Sequence, residues 1–226
     1  MSRRVKAWRG KANRRREPPG GGMAGQVATP GSLRCRFAGG AVMDRVWFFT
    51  WRTYGSWLPG EDGFVGYYHA IENPHAIDNV PGEPATTAIP ALERFAREAM
   101  QGEPALLTAR QAEILLAQFQ ETAAYRRWIL DAVAVMINHI HIVYGVAADP
   151  DPSDMLRDWK SYASRALNRS GPKRLSGHWW ADGGSKRPIK TDERRLAAIQ
   201  YVRDQENPLL VWLSSEARQL LGEPAA

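Results

Sequence analysis

Four residues in the second half of the chain have types and spacing suited to chemistry. His139 and His141 flank Ile140 at the start of an apolar, β-branched stretch that runs to Val146. On a strand, alternate side chains share a face. Both imidazoles and Val143 would point one way, and Ile140, Ile142 and Tyr144 the other. Two neutral imidazoles so placed can grip one divalent cation. An isolated pair can equally be a hydrogen-bonding feature of a sheet surface. Tyr201 and Gln205, four residues apart on a helical stretch, fall on one face. A tyrosine can act as nucleophile, and an amide oxygen one turn away can complete a metal site. Because Ala198, Ile199 and Val202 give that helix an apolar side, Tyr201 also reads as a core aromatic. Tyr162 is the rival nucleophile, but the residue one turn on is Ala166, which offers no ligand.

The elements that would position these residues follow from periodicity. Arg45 to Thr53 is aromatic and β-branched, a strand signal closed by Gly55 and Pro59-Gly60. Residues 60–88 are rich in Gly, Pro, Asn and Asp and read as a long loop. Ala91 to Met100 and the segment opening at Thr108 carry helical spacing, the latter with Leu115, Leu116 and Phe119 on one face. Trp128–Met136 and Ile140–Val146 flank Ile137-Asn138 as an antiparallel hairpin. A helix over 153–169 stops at Gly171-Pro172, and a short strand is expected over 186–190. The last helix opens at Thr191-Asp192-Glu193 and runs to about Glu206 before Pro208. This order predicts an α+β fold, a small antiparallel sheet covered by helices.

The 226-residue chain has 30 Lys plus Arg against 24 Asp plus Glu, a net charge of +6. Residues 1–42 alone carry +9, with Arg14-Arg15-Arg16, Pro18-Pro19 and Gly20-Gly21-Gly22. Such a segment buries too little to offset its ordering entropy. It reads as a disordered basic extension, and Met43 would make a natural start. Between Leu156 and Arg195 the chain carries +7 in an otherwise acidic body. Lys160, Arg165, Arg169, Lys173 and Arg174, then Lys186, Arg187 and Lys190, could form a phosphate-binding stripe beside the last helix. A solvated helix face is the plainer reading. Trp159, Trp179 and Trp180 could stack on unpaired bases or simply pack in the core. The single cysteine, Cys35, excludes a disulfide framework and suits a cytoplasmic location. No uninterrupted apolar run reaches membrane-spanning length.

The sequence resembles the IS200-like Y1 transposases, the single-tyrosine HUH endonucleases, and in particular their REP-associated branch. The resemblance spans about Arg45 to Trp212. It rests on Phe49 to Gly60 (FTWRTYGSWLPG), Met136 to Val143 (MINHIHIV) and Lys160 to Arg169 (KSYASRALNR), then on Trp180 with Gly183 to Arg187 (GGSKR) and Ala198 to Gln205 (AIQYVRDQ). Ile137 departs from the proline usual in the family, which should alter the hairpin turn rather than a metal site.

The resemblance implies a ferredoxin-like domain over 43–213, with 214–226 as a tail. It implies that His139, His141 and Gln205 hold Mg²⁺ or Mn²⁺, and that Tyr201 attacks a scissile phosphate to leave a 5′-phosphotyrosine. The implied partner is single-stranded or hairpin DNA. The alternatives are a domesticated module that binds a DNA hairpin without cleaving it and, further off, a structural metal site with no DNA role. The sequence leaves monomer and homodimer both open.

Overall fold

The structure, a computed structural model, describes residues 35–36, 42–62 and 88–224. The extension expected over 1–42 and the loop expected over 60–88 lie almost wholly outside these residues. A two-residue ladder joins β1 (Cys35–Arg36) to β2 (Val42–Met43). The main sheet uses β3 (Arg45–Arg52), β4 (Ile129–Val135), β5 (His139–Val146), β6 (Ser185–Ile189) and β7 (Leu210–Leu213). The helices are α1 (Pro90–Glu98), α2 (Ala109–Arg126), α3 (Pro152–Ser170), α4 (Asp192–Arg203) and α5 (Ser215–Leu220).

The sheet order is β6-β3-β5-β4-β7, and every neighbouring pair is antiparallel. Within it, β3-α2-β4-β5-α3-β6 forms the split β-α-β repeat of a ferredoxin-like fold, as the sequence led us to expect. β7 extends the β4 edge and was not foreseen, because its four residues are too few to show a period. α5 falls in 214–226, the segment read as a tail. Instead, Ala217 is fully buried beside Ile199 and Val202 of α4. The packed body therefore continues past residue 213.

Alternation on the strands sorts the core into two layers. Trp47, Phe49, Trp51, Ile140, Ile142 and Tyr144 pack with Leu115 and Phe119 of α2 and Met155, Trp159 and Ala163 of α3. Val46, Ala132, Ala134 and Val143 face the other way, against Ile199 and Val202 of α4. A β-bulge between Leu130 and Ala132 admits the fully buried Asp131. Its carboxylate accepts two hydrogen bonds from Arg195 of α4, at 2.8 and 2.6 Å, and Arg195 also reaches Glu216 of α5 at 3.2 Å. This buried ion pair fixes the N-terminal part of α4 to the sheet.

α4 starts where expected, with the Thr191 hydroxyl accepting from the Arg194 amide. It ends three residues earlier than the sequence suggested. Asn207, just before Pro208, takes a left-handed φ of 53°, a conformation in which asparagine is enriched.

Candidate active site

The β4–β5 turn carries the first histidine, and the Phe49–Gly60 block holds that turn. The Asn138 carbonyl accepts from the Thr53 amide at 2.9 Å, the Thr53 hydroxyl at 3.1 Å and the Ser56 hydroxyl at 3.2 Å. The Met136 amide closes the turn onto the His139 carbonyl at 2.9 Å. Ile137 sits half-exposed at the turn of the hairpin.

His139 and His141 then emerge on the α4 face of the sheet, as alternation predicts, with ring centroids 4.7 Å apart. Each ring is oriented through Nδ1. His139 Nδ1 pairs with Asn138 Oδ1 at 2.6 Å, and His141 Nδ1 with Thr50 Oγ1 at 2.8 Å. Such outer partners leave the opposite nitrogens to a ligand. His141 is 4% exposed, and its Nε2 is buried without a hydrogen-bond partner.

Burial, then the positive charge of Arg52, pushes His139 down to about 4. Burial, then His139, pushes His141 down to about 3, with Arg52 adding to the drop and Gln205 opposing it. Both rings are neutral at pH 7, the form that binds a metal.

Tyr201 projects from α4 over this pair. Its ring stands edge-on to His141 at 5.3 Å and to Phe48 at 5.7 Å, while 52% of the residue stays exposed. It is therefore not a core aromatic. Gln205 lies just beyond α4 rather than on it, yet turns back toward the site. Its Nε2 donates to the Tyr201 carbonyl at 2.9 Å, and the same side chain acts on His141.

The donor set is thus two neutral imidazoles and one amide oxygen. Among the described residues, no three His, Cys, Asp or Glu side chains gather to hold a metal. The partnerless Nε2 of His141 and the nearby Gln205 amide fit a divalent cation with positions left for outside oxygen ligands.

The structure separates the expected basic stripe. Lys160, Arg165 and Arg169 ride on α3, which covers the face opposite α4. The Lys160 ammonium donates to the carbonyls of Ala181 and Gly183, and burial pushes it down to about 8. Arg165 lies over the Tyr162 ring and Arg169 reaches Gln118, so Tyr162 is remote from the histidines. Lys186 turns toward α3 and Ser153. Arg187 alone is paired in register with a site-face residue, Phe48, and is itself exposed. Lys190 follows the β6 edge, also exposed. Trp159, Trp179 and Trp180 are buried in the α2–α3 core rather than available to bases. His178 stacks on Tyr54, away from the site, while His69 and His75 lie outside the described residues.

Sequence reasoning missed Thr50, Arg52 and Asn138 as site residues. Thr50 and Arg52 pair in register with His141 and His139. The signal was present: along β3, Phe48, Thr50 and Arg52 alternate with the buried Trp47, Phe49 and Trp51. Gly183-Gly184 lets the next segment pass close to this strand. A Cβ on Gly184, at φ 150°, would lie 3.0 Å from the Thr50 carbonyl.

Residues 102–205 match the family model described as IS200-like transposase, a stretch that includes His139, His141, Tyr201 and Gln205. That stretch is similar to the IS200-like transposases. Two solved structures are similar at 14% identity. One is a REP-associated tyrosine transposase bound to a REP hairpin, with a TM-score of 0.41 over 71% of this chain and 65% of that one. The other is a protein from Deinococcus radiodurans R1 described as a candidate transposase, with a TM-score of 0.40 over 72% of this chain and 92% of that one. The chain therefore spans less than two thirds of the first structure's length. No curated protein sequence matches.

Proposed function

We propose that this domain breaks and rejoins single-stranded or hairpin DNA through Tyr201. The observation that carries this reading is the half-exposed Tyr201 ring set edge-on to His141, whose buried Nε2 lacks a partner.

The Tyr201 oxygen attacks the phosphorus of the scissile phosphodiester. The bond from Oη to phosphorus forms, and the bond from phosphorus to O3′ breaks. The phenolic proton passes to water, and O3′ leaves with the bonding electrons and takes up a proton. One phosphodiester replaces another, so a free 3′-hydroxyl can reverse the step without ATP. His139, His141 and Gln205 would hold Mg²⁺ or Mn²⁺, which supplies Lewis-acid polarisation of the phosphate when bound. Thr50 and Asn138 fix the two imidazoles, and Gln205 ties itself to the backbone beneath the nucleophile.

The reading also covers the DNA partner and a cytoplasmic location. No described helix is long and apolar enough to cross a membrane. The test is a labelled single strand and a labelled hairpin, each incubated with protein and Mg²⁺ or Mn²⁺ and resolved under denaturing conditions. A protein–DNA adduct absent in Tyr201→Phe is expected. Tight binding with no adduct under either metal would instead make the chain a non-cleaving hairpin binder. An adduct that persists in Tyr201→Phe and vanishes in Tyr162→Phe would overturn the assignment of the nucleophile.

A further inference from the structure

Arg52 is the last residue of β3 and pairs in register with His139. It shares the site face with Thr50 and Phe48 because strand side chains two apart point the same way. Its guanidinium carbon sits 3.5 Å above the Trp57 ring. Stacking of this kind restrains the plane of the group while leaving its N–H donors directed outward around the edge.

No side chain among the described residues neutralises it. Its guanidinium makes no hydrogen bond or salt bridge there, and Glu61 acts on it only through space while itself pairing with Arg97 at 3.5 Å. Burial lowers its pKa from the usual arginine value, and its charge is felt at both histidines. A half-buried, unneutralised cation beside two desolvated imidazoles is costly unless an anion arrives. The alternative, a cation–π contact that merely braces the loop after β3, explains the stacking on Trp57. It does not explain why this charge was put next to the histidines.

We propose that Arg52 binds a non-bridging oxygen of the DNA phosphate that sits at His139 and His141, with Trp57 fixing the guanidinium in place. This rests on the reading that the site takes a DNA backbone, and it adds a second charge to oppose the negative charge that develops during attack. Arginine suits the task because its planar fork stays charged and can engage two phosphate oxygens at once.

The test uses the full chain. Binding of a single strand is measured by fluorescence anisotropy across salt concentrations, in the Tyr201→Phe background so that no adduct forms. Arg52→Gln should make the slope of log K against log salt shallower by about 0.7, the value for one lost phosphate contact on a single strand. Arg52→Lys should keep the slope. Adduct formation, read in the otherwise wild-type chain, should slow about a hundredfold in both variants, as for loss of one oriented donor. Trp57→Leu keeps the charge, so its slope should stay unchanged while its adduct rate falls. Arg52→Lys carries the rate test if Arg52→Gln does not fold.

An unchanged slope in folded Arg52→Gln, or a wild-type adduct rate in Arg52→Lys, would overturn the proposal. A wild-type chain that forms no adduct but still loses slope in Arg52→Gln would defeat the cleavage reading and leave Arg52 as a phosphate ligand.

Discussion

Thr50 on β3 and His141 on β5 meet across directly paired strands, with Oγ1 2.8 Å from Nδ1. The bond fixes the ring, so the buried Nε2 of His141 is directed to the site by the sheet itself. Thr50→Val keeps the shape of the side chain and removes the partner. We expect Mn²⁺ affinity, followed by electron paramagnetic resonance, to fall about 10- to 100-fold, the usual effect of losing an outer partner of a ligating histidine. Thr50→Ser should restore most of it. Equal affinity in Thr50→Val and wild type would show that packing alone orients the ring.

The two histidines also set a pH dependence for the metal-free protein. Both are depressed in the folded chain, His139 to about 4 and His141 to about 3, from an ordinary value of 6.5. Below pH 6.5 the unfolded chain binds more protons than the folded one. The stabilising contribution is therefore complete above 6.5 and lost as pH falls toward 4 and below. Urea midpoints measured between pH 7 and pH 4 should decline, and the decline should be shallower in His141→Gln. A histidine titration near 6.5 for both rings, seen by NMR, would contradict the burial that drives the shift.

Asp131 and Arg195 hold α4, and hence Tyr201, against the sheet. Removing Asp131 takes away the fully buried partner of Arg195 and leaves Glu216 as its remaining carboxylate. Asp131→Ala should cost about 3–5 kcal/mol in chemical denaturation. Replacing both residues with apolar ones of similar volume should cost less than Asp131→Ala does. If the single and double replacements cost the same, the pair is not acting as a unit.

Much of this arrangement was legible in the sequence, and the parts that were not share a physical cause. Alternation along Ile140 to Val146 put both histidines on one face. The Thr191 cap and the apolar side of α4 then put a helix where Tyr201 could reach them. Thr50 and Arg52 were hidden because β3 reads as an aromatic strand, and which of its faces meets the histidines depends on register, a property of two strands together. Asp131 looked like an interruption of an apolar run, since neither its bulge nor its partner 64 residues away leaves a local trace. The basic stripe divides between two faces for a related reason. Lys160, Arg165 and Arg169 are close in sequence to Arg187, but α3 and the site-facing side of β6 lie on opposite faces of the sheet.

The proposed ligand set predicts how metal and DNA should depend on each other. His139, His141 and Gln205 bring no negative charge to a divalent cation, and Arg52 places a positive charge beside it. The free protein should therefore bind Mn²⁺ weakly. A DNA phosphate at the site would add oxygen ligands and negative charge, so each partner should tighten the other by the same factor, on the order of 5- to 150-fold. In Tyr201→Phe, which cannot form the adduct, Mn²⁺ affinity with and without a single strand can be compared with DNA affinity with and without Mn²⁺. The two ratios should agree. Arg52→Gln should shift the balance in a characteristic way. It should bind Mn²⁺ more tightly than the parent when DNA is absent, because a repulsive charge is gone, and should gain less when DNA is added. Identical Mn²⁺ affinity with and without DNA would mean that the cation and the phosphate do not meet at these histidines.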